Sequence, residues 1–360
     1  MASHTAFTYT CLPSRVVFGA GALIRLREEI ERLGCRRALV LSTPPREVAT
    51  RATASRLLGE LAADVFAGAV MHTPVEVTAR AVAAARAVDA DCTVAIGGGS
   101  TVGLGKAIAL RSGLKQVVVP TTYAGSEMTP ILGQTENGAK TTLRSPAVLP
   151  ETVIYDVDLT LGLPVPLSVT SGLNAVAHAV EALYAEDRNP ITSLMAQEAI
   201  GAMARALPRI VADPRHAEAR SEALYAAWLC GTCLGAVGMA LHHKLCHVLG
   251  GSFNLPHAAT HAIILPHALA YNAPAAPEAA ARIAAALGLG ESDDAARGLY
   301  DLAGRLSAPR ALRDIGMPES GIDRAALIAA ENPYWNPRPV TREAIRALIA
   351  RAWAGQTPAA

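Results

Sequence analysis

Four histidines, His243, His247, His257 and His261, fall in one short stretch of the chain, and Asn174 stands one helical turn before a fifth, His178. Residues four apart on a helix share a face. Asn174 with His178, and His243 with His247, therefore make two pairs that facing helices could turn into one cavity. His257, which follows a proline after the Leu249-Gly250-Gly251 break, could close the group from a helix start. An Asp with three His would make a good divalent-metal site. Here the carboxylate position is Asn174, and an amide is a poor ligand for iron or zinc that also removes one negative charge. His242 and Lys244 flank His243 and add potential positive charge, which disfavours a cation and favours an anionic substrate. A lone helical histidine is more often packed or solvated than a ligand; five in these segments reverse that expectation.

A second chemical signature lies earlier. After the apolar run CTVAI come Gly97, Gly98, Gly99, Ser100 and Thr101, then the helical stretch VGLGKAIAL. Glycines let the backbone approach a phosphate closely, and the helix start supplies free N–H groups and a positive dipole end. The pattern is neither GxGxxG nor a Walker loop. A tight turn without a ligand is the competing reading. One strand later, the polar loop 120–127 carries Thr121, Thr122 and Ser126, whose hydroxyls could bond a ribose or phosphate of the same nucleotide. The run RRALVLS ends in Ser42-Thr43-Pro44-Pro45 with Arg46 nearby, where a carboxylate would repel a 2′-phosphate. NADPH should be tolerated alongside NADH.

These groups need elements to hold them. The runs at 36–42, 64–70, 92–98 and 115–120 read as buried parallel strands, and the stretches between them read as helices. That alternation predicts a doubly wound α/β domain over 1–155, with ligands at the carboxyl ends of its strands. After Pro164 and Pro166 the chain is alanine-rich with helical periodicity, which predicts an all-helical domain over 156–360 carrying the histidines, with the active site in the cleft between the two. Over 360 residues, 32 Lys+Arg nearly balance 31 Asp+Glu and hydrophobic residues make up 51%, so a nucleic-acid tail, a polybasic membrane patch and a disordered region are not expected. The N-terminus shows no basic leader with an apolar run, and no apolar span reaches about 18 residues. A soluble, cytoplasmic protein is expected. Its six scattered cysteines fit reduced thiols, and Cys230-x-x-Cys233 reads as small buried thiols in a core helix rather than a redox or metal pair.

An ordered set of motifs runs along the chain: VVFGAGAL, GGGS, PTTYAGSE, SGLNAVAHAVEA, HHKLCHVLGG with NLPHA, and NPRPVTREAI. Together they resemble the group III, iron-containing alcohol dehydrogenases over essentially the whole length. The resemblance implies a dinucleotide-binding α/β domain followed by a helical one. In metal-dependent members the ligands are an Asp and three His, and the matching positions are Asn174, His178, His243 and His257; His247 matches an active-site histidine. Cofactor contacts implied are Gly97, Gly98, Gly99, Ser100, Thr101, Thr121, Thr122, Ser126 and, more weakly, Lys140. Two positions depart from the pattern: Asn174 replaces Asp, and Gly103 stands where most members have Asp. Both look like the maleylacetate reductase branch of that family, which implies NADH or NADPH as cofactor, a small dicarboxylate substrate, no required metal and a homodimer.

Hydride addition to a carbon–carbon double bond conjugated to a ketone moves charge onto the ketone oxygen, so donors must stabilise an enolate. His243, His247, His178 and Lys244 are the candidates to supply those donors and the final proton. Lys244, Arg144 and Arg338 are candidates for the substrate carboxylates. The alternatives are a metal-dependent NAD(P) alcohol dehydrogenase of the same family, a lyase of the dehydroquinate synthase type, and a non-catalytic dinucleotide-binding protein.

Overall fold

A computed structural model describes residues 7–12, 14–136, 139–290, 293–331 and 334–359. It divides into two compact units, Leu12–Leu163 and Pro164–Ala360, the latter joined by the N-terminal residues up to Cys11. The first unit runs β1 (Arg15–Gly19), α1 (Leu26–Arg32), β2 (Ala38–Leu41), α2 (Glu47–Leu58), β3 (Ala62–Phe66), α3 (Val75–Ala87), β4 (Cys92–Gly97), α4 (Gly99–Ser112), β5 (Lys115–Pro120), the hairpin β6 (Ile131–Glu136) and β7 (Ala139–Arg144), and β8 (Thr152–Asp156). The chain crosses to the helices only at Pro164, beyond the change of packing class read near residue 155.

Six strands form one parallel sheet in the order β1-β8-β5-β4-β2-β3. Its strands are short valine- and leucine-rich runs because both faces are covered. Alternation along each strand feeds two cores. Ala38, Val40, Val94, Val117 and Val119 pack with Leu26, Ile30 and Leu58 on one face, while Leu39, Leu41, Ala95 and Val118 pack with Val77, Leu104 and Ile108 on the other. From β2 the chain moves outward to β3 and then returns to the opposite side for β4. The strand order therefore reverses between β2 and β4, and in open α/β sheets ligands bind outside the carboxyl ends of the strands at such a switch point. Ser42-Thr43 and the triple glycine leave the sheet there.

The run expected at 64–70 is in the sheet only to Phe66; beyond it Ala69 N–H turns back to the Ser42 carbonyl at 3.0 Å. The β6–β7 hairpin is polar in sequence and was not expected.

The second unit is helical: α5 (Val165–Tyr184), α6 (Pro190–Ala212), α7 (Ala217–Ala236), α8 (Leu241–Phe253), α9 (His257–Asn272), α10 (Pro277–Ala286), α11 (Ala295–Arg305), α12 (Ile322–Ala330) and α13 (Arg342–Ala354). From Ser171 to Tyr184 every residue of α5 is buried, as a helix packed by α6, α7 and α9 must be. Cys230 and Cys233 sit inside α7 with their thiols pushed up by burial, that of Cys233 to about 12, so neither is a ready nucleophile. Among the described residues no single helix is long and apolar enough to cross a membrane.

One buried cation fixes the loop after β5. Lys106, on α4, donates to the carbonyls of Ser126 (2.6 Å), Thr129 (2.6 Å) and Ile131 (2.9 Å) and to the Thr129 hydroxyl (2.9 Å). Burial pulls its pKa down to about 7, opposed by the Glu127 carboxylate, which Tyr155 holds through a 2.8 Å hydrogen bond. Four oxygens facing one amine are the surroundings of an ammonium. Removing it strands them without a donor. Lys106→Met should lower unfolding free energy by about 2 kcal/mol or more, read as an earlier urea midpoint with unchanged slope; an unchanged midpoint would show that water replaces the pin without loss.

Candidate active site

Three helices assemble the imidazoles of the second unit. Asn174, His178 and Glu181 lie on α5 at intervals of four and three, hence on one face. His242, His243, Cys246 and His247 come from α8, and His257 opens α9 with His261 one turn on. The rings form a contiguous set: centroids lie 4.9 Å apart for His178 and His243, 5.2 Å for His243 and His261, 4.3 Å for His257 and His261, and 6.4 Å for His243 and His247. Depth varies across it. His247 and His257 are exposed, His178, His243 and Asn174 are nearly buried, and His242, His261 and Glu181 are fully buried.

Hydrogen bonds order the interior. The Glu181 carboxylate accepts from His243 Nδ1 at 2.6 Å, from the backbone N–H of Ala240 (3.0 Å) and His242 (2.9 Å), and from the Tyr184 hydroxyl at 3.4 Å. His243 Nε2 faces His178 Nδ1 at 2.8 Å. A second pair lies deeper, His242 Nε2 with His261 Nδ1 at 2.9 Å, and Cys246 Sγ stands 3.7 Å from His242 Nε2. Three buried polar atoms of this group have no hydrogen-bond partner: Asn174 Oδ1, His242 Nδ1 and His261 Nε2.

The positive charge expected from His242 is not there. Burial first, and the neighbouring imidazoles second, hold the pKa values of His242 and His261 well below the usual value near 6.5. Both are neutral at ordinary pH. Lys244 is half-buried and lies over the Tyr334 ring at 5.4 Å. Arg338 donates to the Tyr271 carbonyl at 3.0 Å and stacks over that ring, so part of its guanidinium holds structure. Arg144 is exposed at the end of β7 in the other unit. A cavity of about 1180 Å³ lined by Tyr184, Arg188, Glu278, Arg282 and Trp335 contains none of the imidazoles.

In the α/β unit neighbouring side chains dictate two of the three loop glycines. A Cβ on Gly97 would strike Thr101 Oγ1 and approach its Cβ to 2.9 Å, and one on Gly98 would reach Thr122 Cγ2 at 2.9 Å. Gly99 faces open space, and no side chain caps the first turn of α4. Ser100, Thr121, Thr122 and Ser126 are half-buried around it, whereas Thr101 is buried. Ser42 is fully buried, and its hydroxyl lies 3.4 Å from the Thr43 carbonyl. Lys140, on β7, pairs with Thr135 on β6, but its side chain lies outside the described residues. Gly103 has a local cause: a Cβ there would meet Thr73 Oγ1 at 2.5 Å, and Thr73 is buried with φ +47°. An Asp at 103 would require that loop to move.

Residues 13–157 match the model for iron-containing alcohol dehydrogenase, and residues 168–353 match that for the C-terminal part of the Fe-containing alcohol dehydrogenase family. The chain belongs to the iron-containing alcohol dehydrogenase family. It is 60% identical to a maleylacetate reductase of Rhizobium sp. (strain MTP-10005), over 98% of this chain and 99% of that one. It is 57% identical to a maleylacetate reductase of Sphingobium indicum over the same shares. The crystal structure of maleylacetate reductase from Agrobacterium tumefaciens superposes with a TM-score of 0.94 at 59% identity, covering 98% of this chain and 100% of that one.

Family membership raises a divalent metal, and the donor set bears on it. Two nitrogens on one tetrahedral ion at a bond length of about 2.0–2.1 Å would stand roughly 3.3 Å apart. His178 Nδ1 and His243 Nε2 stand at 2.8 Å, the separation of a hydrogen bond. The fourth family position, Asn174, offers an uncharged amide oxygen. These residues fit an imidazole relay better than an ion.

Glu181 was not among the residues singled out from the sequence, His242 was expected only to add positive charge, and His261 only to belong to the histidine stretch. Glu181 had a signal, a carboxylate one turn after His178 inside an otherwise apolar helix. His242 and His261 had none, because their pairing depends on the packing of α8 against α9.

The buried neutral imidazoles set an acid limit. For His242, His261 and His267, the last pulled down to about 4 by burial, the folded pKa lies below the unfolded value near 6.5. Their stability is complete above pH 6.5 and is lost as pH falls, because the unfolded chain takes up protons that the folded one refuses. Each should contribute a slope approaching 1.4 kcal/mol per pH unit, about the value for one proton. Urea midpoints between pH 7.5 and 5 should fall, and His267→Gln should flatten that fall by one group's share; a slope unchanged by the substitution would contradict the assignment.

Proposed function

We propose that the chain reduces the carbon–carbon double bond of maleylacetate to give 3-oxoadipate, with NADH or NADPH as reductant and without a required metal. The observation that carries this reading is the 60% identity, end to end, with an enzyme of that name. The site chemistry agrees with it.

The reduced nicotinamide, when bound at the glycine loop, supplies a hydride to the alkene carbon distal to the ketone. Gly99 faces the open space that a pyrophosphate would take, and the uncapped start of α4 offers it N–H donors. On the helical unit, the imidazoles of His178, His243 and His247 stabilise the negative charge that moves onto the ketone oxygen. One of them then gives a proton to the carbon next to the ketone, which completes the reduction. Lys244 attracts a substrate carboxylate. Asn174 offers an amide where a carboxylate would repel the dianion, and His257 stands at the exposed rim. A conjugated ketone accepts hydride readily, so the Lewis acid that alcohol chemistry uses is less necessary. The reading includes a cytoplasmic homodimer that engages neither nucleic acid nor membrane.

The family name favours a second reading, a metal-dependent NAD(P) alcohol dehydrogenase. Chelator-treated enzyme should oxidise NADH with maleylacetate at an undiminished rate and turn over simple alcohols at least about 100-fold more slowly; activity lost on chelation and restored by iron or zinc would overturn the metal-free reading. Asn174→Asp should raise zinc affinity by about tenfold or more while slowing maleylacetate reduction.

A further inference from the structure

We propose that Glu181 is a positioning residue that fixes the tautomer of His243 and, through it, that of His178. The inference rests on the reductase reading for its chemistry and on hydrogen-bond geometry for its substance. An ionised carboxylate only accepts, and Glu181 takes its donors from His243 Nδ1 (2.6 Å), three backbone N–H groups at the start of α8 (2.9, 3.0 and 3.4 Å) and the Tyr184 hydroxyl (3.4 Å). The three backbone donors belong to the N-terminal end of α8, whose dipole also favours the anion. His243 Nδ1 therefore carries a hydrogen whatever the rest of the ring does.

The neighbouring ring follows from this. With Nδ1 protonated, neutral His243 presents its Nε2 lone pair, which at 2.8 Å accepts from His178 Nδ1–H. The basic nitrogen of His178 is then Nε2. In the reduction, hydride adds to the distal alkene carbon and a proton goes to the carbon beside the ketone. One hydride and one proton are consumed per double bond, the nicotinamide is oxidised, and solvent restores the proton. Without the carboxylate, His243 is free to adopt the other tautomer, and two N–H or two lone pairs could meet across the 2.8 Å gap.

The test reads the tautomer directly. Long-range ¹H–¹⁵N correlation spectra of the histidine-labelled wild-type protein should show His243 protonated at Nδ1 in its neutral form and His178 likewise. An Nε2–H tautomer at His243 overturns the proposal without any variant. Glu181→Gln should then give a mixture of tautomers at His243, a kcat for maleylacetate lower by about 100-fold or more, a KM within about threefold of wild type, and a larger solvent deuterium isotope effect on kcat. NADH affinity and the melting curve serve as controls for folding. If Glu181→Gln fails to fold, the wild-type spectrum still decides. Equal losses in kcat and in NADH affinity, with the Nδ1–H tautomer retained, would assign Glu181 a purely structural role. If wild-type enzyme does not reduce maleylacetate, the reductase reading fails while the tautomer assignment stands or falls by its own spectrum.

Discussion

The helical unit is organised around the burial of one carboxylate. Taking an isolated carboxylate out of water costs several kcal/mol even after relaxation, and the cost is recovered only where donors surround it. Glu181 meets that requirement by drawing the N–H groups at the start of α8 onto its two oxygens, so that end of α8 is held against the last turn of α5. Everything on the first turns of α8 is placed by this constraint: His243 against Glu181, His242 toward α9, and Lys244 outward over Tyr334. The loop before α13 adds a second tie, because Asn336 accepts from Leu241 N–H and exchanges hydrogen bonds with Asn272 at the end of α9.

The α/β unit uses the opposite charge in the same way. Lys106 gathers three carbonyls and a hydroxyl, and so shapes the loop that carries Thr121, Thr122 and Ser126. A buried charge satisfied mainly by backbone is a stiff device, because the oxygens or N–H groups it binds cannot rotate away from it as side chains can. In both units the exposed polar groups of the site sit one layer outside such a charge. Their geometry is set from within rather than by solvent.

What could be read from residues alone follows from which interactions are local. The parallel strands at 92–97 and 115–120, the helical second unit and the placing of Asn174, His178, His243, His247 and His257 on helix faces all rest on short periods, and the structure has them. Strand β1 escaped notice because it is a short run whose pairing partner, β8, lies more than a hundred residues away. Ser42 looked like a cofactor contact by its position after β2, but the turn buries its hydroxyl toward Thr43. His242 looked cationic beside Lys244, and only the packing of α8 on α9 shows that it is paired with His261 and neutral. The family pattern pointed to Asn174 and the histidines; the hydrogen bonds among them were not legible, because they form only where α5, α8 and α9 meet.

The exchange of Asp for Asn at position 174 can be weighed by charge. Two unit charges 4 Å apart at an effective dielectric near 20 interact by about 4 kcal/mol. A carboxylate at 174 would impose a penalty of that order on a substrate carboxylate bound close by, enough to weaken binding by several hundredfold unless a cation offset it. In a metal-dependent relative the ion supplies that offset. In this chain the one carboxylate among the imidazoles, Glu181, is already neutralised by its N–H donors, the deep imidazoles are uncharged, and Lys244 is the cation on α8 beside them. On the metal-free reading proposed above, a neutral amide at 174 spares a dianion that penalty. The altered ligand and the proposed substrate are two sides of one electrostatic constraint.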